Sequence, residues 1–301
     1  MSSLFCRHNR MTAKCPICSK EMEAELRAKA PPRPAGIRNR PASAPRTRRT
    51  ATPRSGGLVT RKLARAQDDG YRNALVPGLR ATADAERLAG ALLIGAERIE
   101  PPGPYDAVAT EPDREQATWL AFLLALLGPD APELQDAIVA AAPRYDAEEG
   151  PELPGEHART VAAYRQWAER AGSQAAGLIG EADWSAHRRF ARVFERLALP
   201  GFSRAARFEL LATLGAAGVY ELEPDRLHFG TEDDATTQAA KRILQSGDVM
   251  LLERRARDLA RASELPLAGL DRAFALWGDA GAEIEPAEDL PAALRSALAL
   301  R

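Results

Sequence analysis

Apolar residues return every three or four positions along most of the chain from residue 61 onward, and that period predicts helices. The clearest case is Phe190, Val193, Phe194 and Leu197, whose i, i+3, i+4, i+7 spacing gives a helix over Trp184–Leu197 one buried stripe. Arg188, Arg189, Arg192 and Arg196 largely avoid that stripe. Leu267, Leu270, Phe274 and Trp277 share a face of a second helix, Pro266–Trp277. The same reading predicts helices over Arg80–Glu97, Asp113–Leu127, Glu156–Arg170, Ser203–Gly215, Asp234–Gln245, Met250–Ala262 and Ala287–Leu298, with Pro and Gly as punctuation. No internal repeat and no convincing alternating strand stands out. The expected fold class is all-α, a helical bundle over residues 61–301.

The first sixty residues read differently. Residues 25–60 are rich in Pro, Arg, Ala, Ser and Thr and hold almost nothing to bury, so they are expected to be a disordered basic linker. Residues 1–24 hold all three cysteines. Composition supports the helical reading of the remainder: 45% of the 301 residues are hydrophobic but only 6% aromatic, with Ala and Leu dominant. The longest apolar run, Ala117 to Gly128, is short of the roughly 20 residues a membrane span needs. No basic segment followed by an apolar stretch opens the chain, which reads against secretion and for a cytoplasmic, nucleoid-associated protein without membrane partners. The net charge of −1 conceals strong polarity, because residues 26–67 carry twelve basic and no acidic side chains, leaving residues 68–301 at −14. Such a basic segment suits non-specific contact with nucleic-acid phosphates. A tether between two modules is the simpler alternative.

Cys6, His8, Cys15 and Cys18 form the pattern C-x-H-x6-C-P-I-C. Two cysteines separated by two residues can turn both sulfurs toward one tetrahedral ion, and Cys6 with His8 would complete a three-thiolate, one-imidazole set. A structural zinc ion is the expected cofactor. An iron–sulfur cluster and free thiols remain alternatives, and the Cys6–His8 gap is tighter than usual.

In the second half, a helix runs into Leu199, Pro200, Gly201, Phe202 and Ser203, where the chain turns and a new helix begins. Gly201 permits backbone conformations that other residues resist. Ser203 can cap the new helix, its free amides can meet an anion, and Arg204 and Arg207 add charge. With Arg188 and Arg189 nearby, the turn reads as a cradle for a DNA phosphate. An ordinary helix–helix corner has the same local sequence.

The run Leu199–Ala206, with a helix beginning near Asp233 and Asp234 after it, resembles the helix-hairpin-helix DNA glycosylase superfamily. More narrowly, residues 167–277, through AERAGSQAA, RRFARVFERLALPGF and DDATTQAAKRIL, are similar to its alpha-glutamyl/putrescinyl thymine pyrophosphorylase branch. The resemblance implies DNA as partner, a modified base such as a 5-substituted pyrimidine as substrate, and Asp233 or Asp234 as the catalytic carboxylate. Ala205 stands where lyase-type members carry a lysine, which implies a monofunctional glycosylase. Read from local physics alone, Asp233 and Asp234 begin a helix, where an aspartate is more often a cap than a catalyst. Trp184, Tyr220, Phe229 and Trp277 are the candidates for stacking a flipped base, or else core. His157, His187 and His228 lie singly and read as surface or helix-end residues. The second functional reading is a non-catalytic adaptor, binding DNA through hairpin and basic linker while the zinc module recruits a protein partner.

Overall fold

The computed structural model describes residues 66–128, 132–146, 155–230, 234–285, 287 and 289–300. Cys6, His8, Cys15, Cys18, the 25–60 linker and Asp233 lie outside the described residues. Of the described residues 62% are helical and none is in a strand, so the body is all-α. None of the described helices is long and apolar enough to cross a membrane.

Twelve helices are described: α1 (Thr82–Ile99), α2 (Asp106–Thr110), α3 (Arg114–Leu127), α4 (Pro132–Ala141), α5 (Gly155–Ala171), α6 (Gln174–Ile179), α7 (Ala186–Arg196), α8 (Arg204–Ala216), α9 (Ala235–Ile243), α10 (Val249–Ser263), α11 (Leu267–Gly278) and α12 (Ala292–Ala297). All nine predicted helices are present, and α2, α4 and α6 are additional. Local chemistry fixes many of their starts. Asp113, Ser173, Ser185, Ser203, Asp234 and Asp248 each sit in extended backbone and accept an N–H from the turn that follows.

Helix α3 is buried continuously from Gln116 to Ala125 and packs on α8, while α11 packs against both α1 and α9. An aromatic stack joins the first group: Phe122 lies on Tyr164 at 3.8 Å between centroids, and Phe202 packs at 5.2 Å from Phe122. Phe202 therefore anchors the turn between α7 and α8 in the core. A bond from Thr160 Oγ1 to the Pro200 carbonyl (2.9 Å) fixes the same turn from α5. That anchoring leaves Pro200, Gly201 and Ser203 exposed at the surface.

Candidate functional site

The α7–α8 connection is a tight turn with one unusual residue. The Phe202 N–H donates to the Leu199 carbonyl at 3.1 Å, and Gly201 between them has φ 78°, the left-handed region where a side chain would be strained. Ser203 Oγ accepts the Ala206 N–H at 3.1 Å. The amides of Arg204 and Ala205 precede the first bonds within α8, so the start of this helix offers donors and the positive end of its dipole.

The arginines around the turn divide into two populations. Arg188, Arg192 and Arg196 follow one another at four-residue intervals along α7 and are exposed. Their partners are loose: Arg188 reaches Asp183 at 3.7 Å, Arg192 reaches Glu195 at 3.5 Å, and Arg196 lies over the Trp184 ring at 4.8 Å. Exposed ion pairs of this kind contribute about 0–1 kcal/mol and yield easily to another anion.

Arg189 and Arg204, expected to face DNA, point inward instead. Arg189 donates to the carbonyls of Ile179, Glu221 and Trp184 at 2.9–3.0 Å. Arg204, only 2% exposed, donates to Asp234 Oδ1 (3.1 Å), the Leu227 carbonyl (2.8 Å) and Asp271 Oδ1 (2.7 Å). Burial alone would lower the pKa of this guanidinium; the Asp271 and Asp234 charges hold it up. Both side chains close off carbonyls and carboxylates that the folded body would otherwise bury unpaired.

Asp234 is consumed by the same arrangement. Its Oδ1 accepts the Thr237 N–H (3.1 Å) and Arg204 Nε, and its Oδ2 accepts the Thr237 hydroxyl. It caps α9 and ties α9 to α8. The four aromatic candidates divide as well, with Trp184, Tyr220 and Trp277 buried in the packing and Phe229 on the wall of a cavity.

That cavity, of about 610 Å³, lies beside the turn, and Asp234 is not among the residues that line it. Phe194 and Arg207 line it from α7 and α8, Arg226, His228 and Phe229 from the following loop, and Glu253 and Arg257 from α10. Glu253 builds the loop. Its carboxylate accepts the Leu227 N–H at 2.8 Å and the Phe229 N–H at 2.7 Å, pinning the chain on both sides of His228. Burial raises the Glu253 pKa against the lowering effect of those two amides. His228 is held at φ 53°, unusual for a residue with a side chain, and its ring stacks on Phe194 at 4.1 Å. Burial, together with the Arg226, Arg204 and Arg207 charges, pushes its pKa down to about 3, so the imidazole is neutral near pH 7. Spacing of single histidines did not reveal it. The available signal was alternation, because Leu227 and Phe229 are buried while Arg226 and His228 lie between and before them.

This wall has a pH signature. The unfolded chain protonates His228 near 6.5 while the folded one keeps it neutral to about 3, so its contribution to stability is complete above 6.5 and is lost as pH falls toward 3. Asp271 has the opposite sign. Burial raises its pKa to about 6 despite the neighbouring Arg204, so the folded state takes up its proton first and gains stability as pH falls from about 6 toward 3.8. The two slopes oppose, and a variant separates them. His228→Asn keeps a residue that tolerates the left-handed backbone and removes the titration. The wild type's advantage over it in urea midpoint should hold above about pH 6.5 and shrink steadily from there to about pH 4.5. Parallel curves would mean that the imidazole titrates alike in both states.

Comparison of the chain with family models, with curated proteins and with solved structures finds no match in any of the three.

Proposed function

We propose that the helical body binds DNA by its phosphate backbone, with the 199–203 turn and the outer face of α7 as the contact surface. The observation that carries this reading is the row Arg188, Arg192, Arg196, exposed and loosely paired beside a turn that offers free helix-start amides. Four-residue steps place these arginines about 6 Å apart along the helix axis, the scale of neighbouring phosphates on a strand. Contacts of this kind position a duplex and carry no base information. In a body of net charge −14, such a row is also a local exception.

The test is affinity against salt. Replacing Arg188, Arg192 and Arg196 together by Gln should weaken duplex binding by the full chain and reduce the slope of log K against log salt by about three, near one per lost phosphate contact. Unchanged affinity and slope would remove the proposal. Folding is checked by the thermal midpoint, which substitutions at these exposed positions should leave within about 2 °C.

A base-processing role is a second reading, favoured by the cavity beside the turn and by Phe194 and Phe229 on its wall. It passes to Asp233, since each Asp234 oxygen is engaged by Arg204 or Thr237. Alkali-revealed breaks in duplexes carrying uracil, hydroxymethyluracil or bulky 5-substituted thymines, lost in Asp233→Asn, would establish it. Binding without breaks across that panel would leave the adaptor reading.

A further inference from the structure

Four arginines line one cavity: the inward-held Arg204, with Arg207 also from α8, Arg226 from the loop and Arg257 from α10. The bonds of Arg226 and Arg257 differ in kind from those of the inward arginines. Arg204 and Arg189 are held by contacts of 2.7–3.1 Å to buried carboxylates and carbonyls. Arg257 reaches the Glu253 carbonyl only at 3.4 Å, and Arg226 meets Glu195 at 3.6 Å on an exposed rim. The Nε of Arg226 is buried and has no hydrogen-bond partner among the described residues. A buried donor left in that state is destabilising, and a ligand that engages it recovers the loss.

Three carboxylates, Glu195, Asp225 and Glu253, line the cavity with these arginines. Glu253 has one oxygen on each of two backbone amides, and Glu195 and Asp225 are exposed. The Arg226–Glu195 contact is weak enough for an entering oxyanion to displace. Planar forks from three elements suit a group with three equivalent oxygens better than a carboxylate with two. Apolar surface from Phe229, Val249 and Met250, the last 76% exposed, lines the same space.

We propose that this cavity binds a phosphomonoester, its dianionic head held by Arg226 and Arg257 with Arg207 beside them and its organic group against Phe229 and Met250. The site goes beyond DNA-backbone binding and does not depend on it, since Arg188, Arg192 and Arg196 lie outside the cavity. The same phosphate chemistry could come from a small molecule or from a phosphorylated DNA end.

Calorimetry on the full chain tests it with inorganic phosphate, phenyl phosphate and dimethyl phosphate, and with a 5′-phosphorylated oligonucleotide against its 5′-hydroxyl twin. Phenyl phosphate should bind more tightly than inorganic phosphate, and the monoanionic diester should not bind. Arg226→Gln and Arg257→Gln should each weaken phenyl phosphate by about tenfold or more, the scale of a lost charge-assisted hydrogen bond. Arg254→Gln, exposed on α10 and outside the cavity, should change nothing. Arg257 is itself exposed, so its variant carries the test should Arg226→Gln fail to fold. Tightening by the 5′-phosphate would make the ligand a DNA end, and phenyl phosphate binding without it a small molecule; both support the site. Absence of binding by inorganic and phenyl phosphate at millimolar concentration would overturn it. So would binding insensitive to both cavity variants, or equally sensitive to Arg254→Gln. Loss of DNA binding alone would strike only the backbone proposal.

Discussion

Arg204→Ala is expected to destabilise the helical body by about 3–5 kcal/mol, the scale of a buried ion pair broken by removing one partner. The size follows from what remains. Asp234 and Asp271 have side chains 14% and 11% exposed, and Arg204 is the cation paired with each of them. Its removal also strands the Leu227 carbonyl and uncouples α8 from both α9 and α11. Lys at this position should recover only part of the loss, because one ammonium cannot reproduce a fork directed at three acceptors. Combining Arg204→Met with Asp234→Asn and Asp271→Asn should recover more, since no unpaired charge is then buried. Urea unfolding measures each step. The contrary result is informative: Arg204→Ala that keeps its unfolding midpoint but binds DNA less tightly, with a salt slope reduced by about one, would make Arg204 a phosphate contact after all.

This arginine also shows what could be read from the sequence and what could not. The α7 stripe was legible, and Phe190, Val193, Phe194 and Leu197 are all buried. So were several helix starts, because Ser203 and the Asp at 234 are local signals with local partners. The inward arginines were partly legible too. Arg189 lies four residues before Val193, and Arg204 lies four before Phe208 and seven before Leu211, so each shares the buried face of its helix. Charge density around the turn hides that register. What no window discloses is the partner, since Asp271 is 67 positions away from Arg204. The five residues of α2 and the six of α6 are too short to display a helical period, which is why they were not predicted. The cavity wall was legible only as the alternation around Leu227 and Phe229, for a third reason: Arg226, His228, Glu253 and Arg257 become neighbours only when Glu253 gathers the amides of Leu227 and Phe229.

Gly95→Ala should lower stability by about 2–3 kcal/mol, even though alanine is favoured over glycine in a helix by nearly 1 kcal/mol. Helices α1 and α11 cross where Gly95 faces Gly269. A Cβ on Gly95 would stand 2.2 Å from the Gly269 carbonyl oxygen, and one on Gly269 would stand 2.7 Å from the Gly95 carbonyl oxygen. The obstacle in both directions is backbone, which cannot swing aside as a side chain can, so the helices must separate. Gly247→Ala is the matching control, with nothing within 4 Å of the added atom, and should be neutral or slightly stabilising. The separation would reach the candidate site through one residue. Asp271 follows Gly269 by two positions on α11, and its 2.7 Å bond to Arg204 depends on how deeply that helix sits. The combined Gly95→Ala, Asp271→Asn variant should therefore cost less than the sum of the two single changes, because the wedge has already loosened the bond that Asn weakens. Strict additivity would show that α11 yields at Gly269 without moving Asp271, and that the turn and cavity are insulated from this helix pair.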